Sequence, residues 1–219
     1  MDSSRSEHWD RTYTGRAAEQ LSWFEPEPWV SLELIDALAA RPDEAVVDVG
    51  GGKSRLVDEL LRRGFSDVTV LDVSSVALEA VAERIGANSG AEWVVADVLA
   101  WRPARRYALW HDRAVFHFLV DPAEQAAYLD TLDAAGAARV VIATFAPDGP
   151  ETCSGLPVAR YGPEDLERLL VGFDVVDARR VVHVTPWGAD QPFTWVAARS
   201  RTRSGADQRP RATDASPQR

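Results

Sequence analysis

The stretch VVDVGGGKSRLVDEL, residues 46–60, decides the fold, because it carries a strand, a glycine turn and a helix in immediate succession. The β-branched run at its start is typical of a buried strand. Apolar residues then recur at helical spacing over residues 54–64, and Gly64 is a natural helix end. A strand that passes through glycines into a helix favours a β–α–β unit that holds a ligand at the turn.

The spacing of the glycines argues against two nucleotide-binding loops. A P-loop needs a glycine five residues before the triplet Gly52-Lys53-Ser54, and Val47 stands there. A dinucleotide loop, G-x-G-x-x-G, matches Gly50 and Gly52 but needs a glycine where Arg55 stands. The P-loop pattern lacks its first glycine, because a strand residue stands there. The dinucleotide pattern is mismatched at one position.

Strand and helix patterns alternate along the rest of the chain. Predicted strands cover residues 45–49, 67–73, 91–98, 106–112 and 138–145, and predicted helices cover residues 29–40, 54–64, 74–86, 122–136 and 162–172. Two further β runs, residues 173–184 and 192–200, follow without a helix between them. The order predicts an α/β fold: a mostly parallel seven-stranded sheet, helices on both faces and one antiparallel edge strand.

The pattern Asp48-x-Gly50-x-Gly52 resembles the glycine loop of the class I S-adenosylmethionine-dependent methyltransferases, which reads (Asp/Glu)-x-Gly-x-Gly-x-Gly. Ser54 stands at the third glycine, a departure expected to affect helix packing more than access of the ligand. The resemblance implies a Rossmann-like fold that binds S-adenosyl-L-methionine at Asp48, Gly50 and Gly52. Glycines there let the backbone approach the cofactor where a β-carbon would collide.

Two more acidic residues end the next two predicted strands, where parallel sheets bind their ligands. Asp72, followed by Val73, is placed to accept both ribose hydroxyl protons. The resemblance assigns Asp97, followed by Val98, to the adenine amino group. Taken singly, each aspartate has a structural alternative as a helix cap. Three acids at the ends of three successive strands favour the cofactor site.

The N-terminal motifs HWDRTY (8–13) and SWFEPEP (22–28) resemble a methyltransferase subgroup that includes the eukaryotic lysine methyltransferases of elongation factor and citrate synthase. In that subgroup the segment folds over the cofactor, so residues 1–28 are predicted to form a lid. The resemblance places Trp9, Tyr13 and Phe24 at the methionine and sulfonium end, where aromatic rings attract a cation. The alternative is a hydrophobic staple that fixes the N-terminus.

The segment WHDRAVFHFL (110–119) follows the fourth predicted strand and stands where the subgroup has D-K-G-T-x-D. Asp112 and Arg113 take the places of its Asp-Lys pair, and Arg113 is predicted to contact the cofactor. The Gly-Thr pair is absent, which weakens the inference of a lysine substrate. His111 and Asp112 are the candidate general bases. His117, between two phenylalanines, is interpreted as a histidine at the edge of the core.

Two long loops rich in glycine and proline, residues 146–162 and 183–193, are predicted to form the substrate wall. Their candidate substrate contacts are Cys153, Tyr161, Trp187 and Phe193. Neither loop contains a motif that identifies the methyl acceptor.

Composition narrows the class of protein. Residues 200–219 carry five arginines and two aspartates, a charge of +3, so the total of −10 leaves −13 on residues 1–199. Such an acidic body is a poor partner for nucleic acid. The tail, residues 200–219, is predicted to be disordered. One cysteine, four scattered histidines and a polar start favour a cytoplasmic protein without a metal, a membrane span or a signal peptide.

These observations predict a methyltransferase domain over residues 1–199. It would move a methyl group from S-adenosylmethionine to a small molecule or a protein, a lysine included, by in-line displacement. Two alternatives remain: a non-catalytic partner protein that binds the cofactor, and a nicotinamide-dependent oxidoreductase. The oligomeric state is not predicted.

Overall fold

The computed structural model describes residues 3–86 and 89–201. The strands in this part of the chain are β1 (Val46–Val49), β2 (Val68–Asp72), β3 (Ala91–Val95), β4 (Leu109–Arg113), β5 (Arg139–Phe145), β6 (Thr152–Cys153), β7 (Leu156–Pro157), β8 (Phe173–Val184) and β9 (Asp190–Ser200). The helices are α1 (Ser3–Tyr13), α2 (Trp29–Ala37), α3 (Leu56–Arg62), α4 (Ser75–Ile85), α5 (Pro122–Ala135) and α6 (Pro163–Leu169).

Seven of these strands form one sheet in the order β3-β2-β1-β4-β5-β9-β8. The strands from β1 to β5 pair in parallel, and β9 runs antiparallel to both of its neighbours. The predicted Rossmann-like sheet is confirmed. Its antiparallel strand belongs to the closing pair, where it lies second from the edge, beside β8.

Helices cover both faces of the sheet, and each face has its own hydrophobic core. Leu34 of α2, Leu60 of α3 and Leu78 of α4 belong to one core, together with Val141. The other core contains Val140 and the following residues of α5 and α6: Tyr128, Leu132 and Leu166. Successive residues of β5 thus serve opposite cores, as the period of two in a strand requires. Strands β1 and β2 are buried throughout, as expected for central parallel strands.

Capping residues mark the starts of α4 and α5 and the end of α5. The Ser74 side chain caps α4 by accepting a hydrogen bond from the Ala77 N–H, 3.2 Å away. Asp121 caps α5 in the same way, with Pro122 in the first turn. Gly136 ends α5 in the left-handed conformation, with φ of 57°. These caps fix the points at which the chain turns between sheet and helix.

Two elements lie outside the sequence prediction. Helix α1 extends over eleven residues of the segment that the sequence analysis predicted as a lid, without a helix. The short hairpin of β6 and β7 lies within the loop predicted over residues 146–162. The tail prediction falls on residues that, from 202 on, lie outside the described part of the chain. No helix in the described part is long and apolar enough to cross a membrane.

A buried hydrogen-bond network shapes the turn that follows β4. The Asp112 carboxylate accepts the backbone N–H groups of Val115 (2.8 Å) and Phe116 (3.1 Å). The Tyr128 hydroxyl donates to Asp112 over 2.6 Å and accepts from Trp110 Nε1 over 2.8 Å. Burial raises the pKa of Asp112 to about 6. The network therefore joins α5 to β4 and fixes the path of the chain at residues 113–118.

We expect Tyr128→Phe to lower the free energy of unfolding by about 1–3 kcal/mol, because Trp110 Nε1 would be left buried without an acceptor. Tyr161→Phe is the matched control, since its hydroxyl bonds Gln125 at a half-buried position and should cost less. Urea denaturation of the two variants measures both effects. Equal losses would show that the network around Asp112 contributes no more than a half-buried hydrogen bond.

Candidate active site

A cavity of about 540 Å³ opens at the carboxyl ends of the central strands, beneath α1. Its volume is in the range of small-molecule sites, about 300–1,000 Å³. Its wall contains the following residues from the predicted cofactor set: Trp9, Tyr13, Gly50, Asp72, Val73, Asp97, Val98 and Arg113. Of the predicted substrate residues, Cys153 and Phe193 also line it.

The glycine loop needs glycine for conformation as well as for space. Gly50 and Gly52 have φ of 65° and 49°, values that side chains other than glycine rarely adopt. Gly50 lines the cavity, whereas Gly52 lies under Tyr13. A β-carbon at Gly52 would be 2.3 Å from the Tyr13 hydroxyl oxygen. The space that a side chain at this position would need is therefore filled by the N-terminal helix.

Asp72 at the end of β2 is buried at the cavity wall without a cationic partner among the described residues. Its two carboxylate oxygens accept the backbone N–H groups of Gly52 (2.9 Å) and Ser74 (2.8 Å). Burial raises its pKa to about 6 against these hydrogen bonds, and the charges of Asp48 and Asp10 add to the rise. Asp72 thus joins the glycine loop to the start of α4 and keeps lone pairs for a ligand hydroxyl.

Asp97, beyond the end of β3, is held by one backbone group and one side chain. Its carboxylate accepts the Leu99 N–H over 3.0 Å and Arg5 Nη1 over 3.0 Å. Arg5 also donates to Glu124 over 2.7 Å. Sequence reasoning missed Arg5 and Glu124, because their contact joins positions 119 residues apart and has no local pattern. Helix α1 is thereby joined to the predicted adenine end of the cavity.

Aromatic side chains form the wall of the cavity beneath α1. The Trp9 ring lies 5.1 Å from Phe118, 5.9 Å from Trp23 and 6.1 Å from Tyr13, measured between centroids. The sequence placed Phe24 in this wall, and that expectation does not hold. The turn in which the Phe24 N–H bonds the Leu21 carbonyl directs the preceding residue, Trp23, to the cavity.

Arg113 lines the cavity and contacts the N-terminal segment through its guanidinium group. Its Nη1 donates to the Trp23 carbonyl over 2.9 Å, and its Nη2 lies 3.1 Å from Glu25. His183 donates to the Ser22 carbonyl over 2.7 Å. Burial opposes ionisation of Glu25, yet Arg113 and His183 outweigh it and lower the pKa of this carboxyl. Arg113 therefore holds residues 22–25 in place.

Lys53 in the glycine loop holds the end of helix α1 in place. Its Nζ donates to the carbonyls of Tyr13 (3.0 Å) and Arg16 (2.7 Å). The Lys53 side chain is half-buried and bonds the end of a helix.

The structure does not place the candidate bases His111 and Asp112 at the cavity. His111 is 3% exposed; its Nδ1 lies 2.7 Å from Asp48 and its Nε2 lies 2.9 Å from Ser31 Oγ. Asp48 and His111 are register partners on β1 and β4, so their side chains lie on the same face of the sheet, the one that α2 covers. Asp48 is absent from the cavity wall for the same reason. Asp112 is fully buried in the network with Tyr128.

Two predicted substrate residues also lie elsewhere. Tyr161 packs on Phe116, 5.4 Å between centroids, and its hydroxyl bonds Gln125. Trp187 is 63% exposed in the turn between β8 and β9. Cys153 lies in the hairpin of β6 and β7, and burial raises the pKa of its thiol to about 11, so this thiol is uncharged.

Comparison with known proteins agrees with this geometry. Residues 46–135 match the model of a family described as a methyltransferase domain. Among curated proteins, the eEF1A lysine and N-terminal methyltransferase of Mus musculus is 27% identical over 85 residues. That alignment covers 38% of this chain and 12% of the mouse protein, so the chain spans a small part of this relative.

Solved structures share the fold over most of the chain. A SAM-dependent methyltransferase from Anabaena variabilis has a TM-score of 0.70 and 17% identity, and the match covers 90% of this chain and 94% of the other. The 1,6-didemethyltoxoflavin-N1-methyltransferase of Burkholderia thailandensis, bound to 1,6-didemethyltoxoflavin and S-adenosylhomocysteine, has a TM-score of 0.64 and 22% identity. That match covers 90% of this chain and 84% of the other.

The strand order, the glycine loop after β1 and the family match lead to one assignment. The chain has the fold of the class I methyltransferases, and its residues 46–135 match a methyltransferase domain.

Proposed function

We propose that this protein transfers the methyl group of S-adenosylmethionine to a nucleophilic atom of a small molecule. The observation that carries the proposal is the cavity itself. One wall presents Gly50, Asp72 and Asp97 from the ends of successive strands. The rings of Trp9 and Phe118 lie in the same cavity, 5.1 Å apart.

The residues present fit the cofactor in charge and shape. Asp72 would accept the ribose hydroxyls, since both of its oxygens already accept one backbone N–H and keep a second lone pair. Asp97 would accept the adenine amino group beside Arg5. Val73 and Val98 would supply apolar contacts to the adenine ring. Trp9, Tyr13 and Trp23 would surround the sulfonium, which gains from aromatic faces.

When bound, the cofactor supplies an activated methyl group, so the chain's own contribution is mainly positioning. Holding two reactants in line is worth about 7–11 kcal/mol in favourable cases. Helix α1 covers the cavity and is fixed through Arg5 and Lys53, which limits access of water. His117 is the imidazole that lines the wall near Phe145, and burial lowers its pKa to about 3. A base this weak does not take a proton from the acceptor, so His117 is not assigned as the general base.

The charges favour a small neutral or anionic acceptor over a lysine side chain. Among the described residues, the carboxylates in the cavity wall are Asp72, Asp97 and Glu124. Asp97 and Glu124 bond Arg5, and Asp72 bonds the glycine loop. Around Phe145 and Phe193 the charged group is Arg113. An ammonium group there would lie beside Arg113, whose charge is already balanced by Glu25, and would find no partner of its own among the carboxylates of the cavity wall.

The cofactor assignment is tested by thermal denaturation of the full chain with S-adenosylhomocysteine, NAD and ATP. A ligand at one hundred times its Kd should stabilise the native state by about 2.7 kcal/mol. We expect stabilisation by S-adenosylhomocysteine alone. Stabilisation by NAD instead would restore the oxidoreductase alternative. Release of S-adenosylhomocysteine from S-adenosylmethionine in the presence of a small-molecule library then tests turnover, and its absence would favour the non-catalytic alternative.

A second prediction concerns pH. Because burial raises the pKa of Asp72 to about 6, its protonation should weaken S-adenosylhomocysteine binding as the pH falls from 7 to 5, by about tenfold. Asp72→Asn should bind weakly at every pH in this range. Asp112→Asn is the matched control: Asp112 also has a pKa of about 6 but lies outside the cavity wall. Calorimetry measures the Kd values.

Protonation of Asp72 should affect the stability of the fold in the direction opposite to its effect on S-adenosylhomocysteine binding. The folded-state pKa of Asp72 exceeds the unfolded value of about 3.9, so its carboxyl favours the fold below pH 4 and this contribution is lost as the pH rises through 6. Weaker binding at low pH therefore cannot be attributed to loss of this group's stabilising effect. A wild-type Kd that stays constant between pH 5 and 7 would contradict the role of Asp72 as a ribose acceptor.

A further inference from the structure

His117 lies in the part of the cavity wall that Phe118, Phe145 and Phe193 form. It belongs to the short turn Phe116–Phe118 after β4, is fully buried, and lines the cavity wall. Its ring lies 4.5 Å from Phe118 and 4.7 Å from Phe145, and it stacks at 6.5 Å on Phe193. A polar ring is thus set among aromatic side chains.

The surroundings decide which ring nitrogen carries the proton. The Phe145 backbone N–H donates to His117 Nδ1 over 3.3 Å, so Nδ1 presents its lone pair. Burial and the nearby Arg113 lower the pKa to about 3, which keeps the ring neutral. The single proton of a neutral ring therefore lies on Nε2.

This Nε2–H has no hydrogen-bond partner among residues 3–86 and 89–201. A buried donor without an acceptor costs about 1–3 kcal/mol, and native proteins pair nearly all such groups. Gln191 Oε1, also in the cavity wall, is a second buried polar atom without a partner in the described chain. Gln191 lies two residues before Phe193 on β9, so both point to the same side of the strand.

We propose that His117 Nε2–H is the substrate-recognition donor of this enzyme, and that it binds a carbonyl or ring-nitrogen acceptor on a flat aromatic molecule. The assignment rests on the proposed function and names its substrate class. Phe118, Phe145 and Phe193 would contact the ring faces, and Gln191 would bond a second polar atom on the ring edge. His117 then determines specificity and takes no proton from the substrate.

Two substitutions separate the two nitrogens of His117. His117→Asn can keep an acceptor for the Phe145 N–H but is too short to present a donor at the Nε2 position. His117→Gln can present a donor at that position but gives up the bond to Phe145. The protein is the full chain saturated with S-adenosylhomocysteine. The probes are 1-indanone, a flat bicyclic compound with one carbonyl acceptor, and indane, the same skeleton without it.

We expect the wild-type complex to bind 1-indanone about three- to tenfold more tightly than indane, which corresponds to one neutral hydrogen bond. His117→Asn should lose this preference, and His117→Gln should keep part of it. In protein labelled with ¹⁵N-histidine, the wild-type ring should remain the neutral Nε2–H form between pH 5 and 8, and its Nε2–H signal should shift with 1-indanone alone.

Equal binding of the two probes by the wild type, binding of neither, or a preference that persists in His117→Asn would overturn the proposal. Probe binding is measured on protein that already contains S-adenosylhomocysteine. A thermal shift caused by S-adenosylhomocysteine verifies that it is bound to each variant. A chain that fails to bind S-adenosylhomocysteine would instead refute the proposed function, so the two failures are distinguishable.

Discussion

The site depends on the buried carboxylate of Asp72, which has hydrogen bonds but no cationic partner in the described part of the chain. Its two oxygens accept backbone N–H groups on either side of the cavity edge, at Gly52 and at Ser74. This pairing fixes the glycine loop against the start of α4. It also leaves a carboxylate whose pKa is raised to about 6 by burial and by neighbouring acids, a group that gains from further hydroxyl donors. A ribose supplies two such donors.

The N-terminal segment is held over this site by polar contacts from the domain below. Arg5 bonds Asp97 and Glu124, Lys53 bonds the carbonyls at the end of α1, and Arg113 bonds residues 22–25. Asp10 of α1 adds a bond to the Ser74 hydroxyl over 2.6 Å. Several of these groups lie beside the predicted cofactor contacts. These contacts fix α1 over the cavity, and its action as a lid stays a prediction.

Strand pattern and glycine spacing were sufficient to predict the sheet, its closing strand pair and the residues at the ends of β2 and β3. They were not sufficient for the face on which a strand residue lies. His111 was predicted as a general base, but it is the register partner of Asp48, and both side chains lie on the face of the sheet that α2 covers. Phe24 and Trp23 differ by one position, and only the turn at Leu21 determines which faces the cavity. Contacts such as Arg5 with Glu124 join distant positions and have no local signal.

The most direct test of the account is a crystal structure of the full chain with S-adenosylhomocysteine. We expect the ribose hydroxyls to lie within hydrogen-bond distance of Asp72. The adenine should lie beside Asp97, and the sulfur should face the rings of Trp9 and Phe118. We also expect α1 to stay over the cavity, and His117 Nε2 to lie beyond the sulfur, on the side where the methyl acceptor would bind. A ligand bound outside this cavity, or one whose ribose contacts a residue other than Asp72, would contradict it.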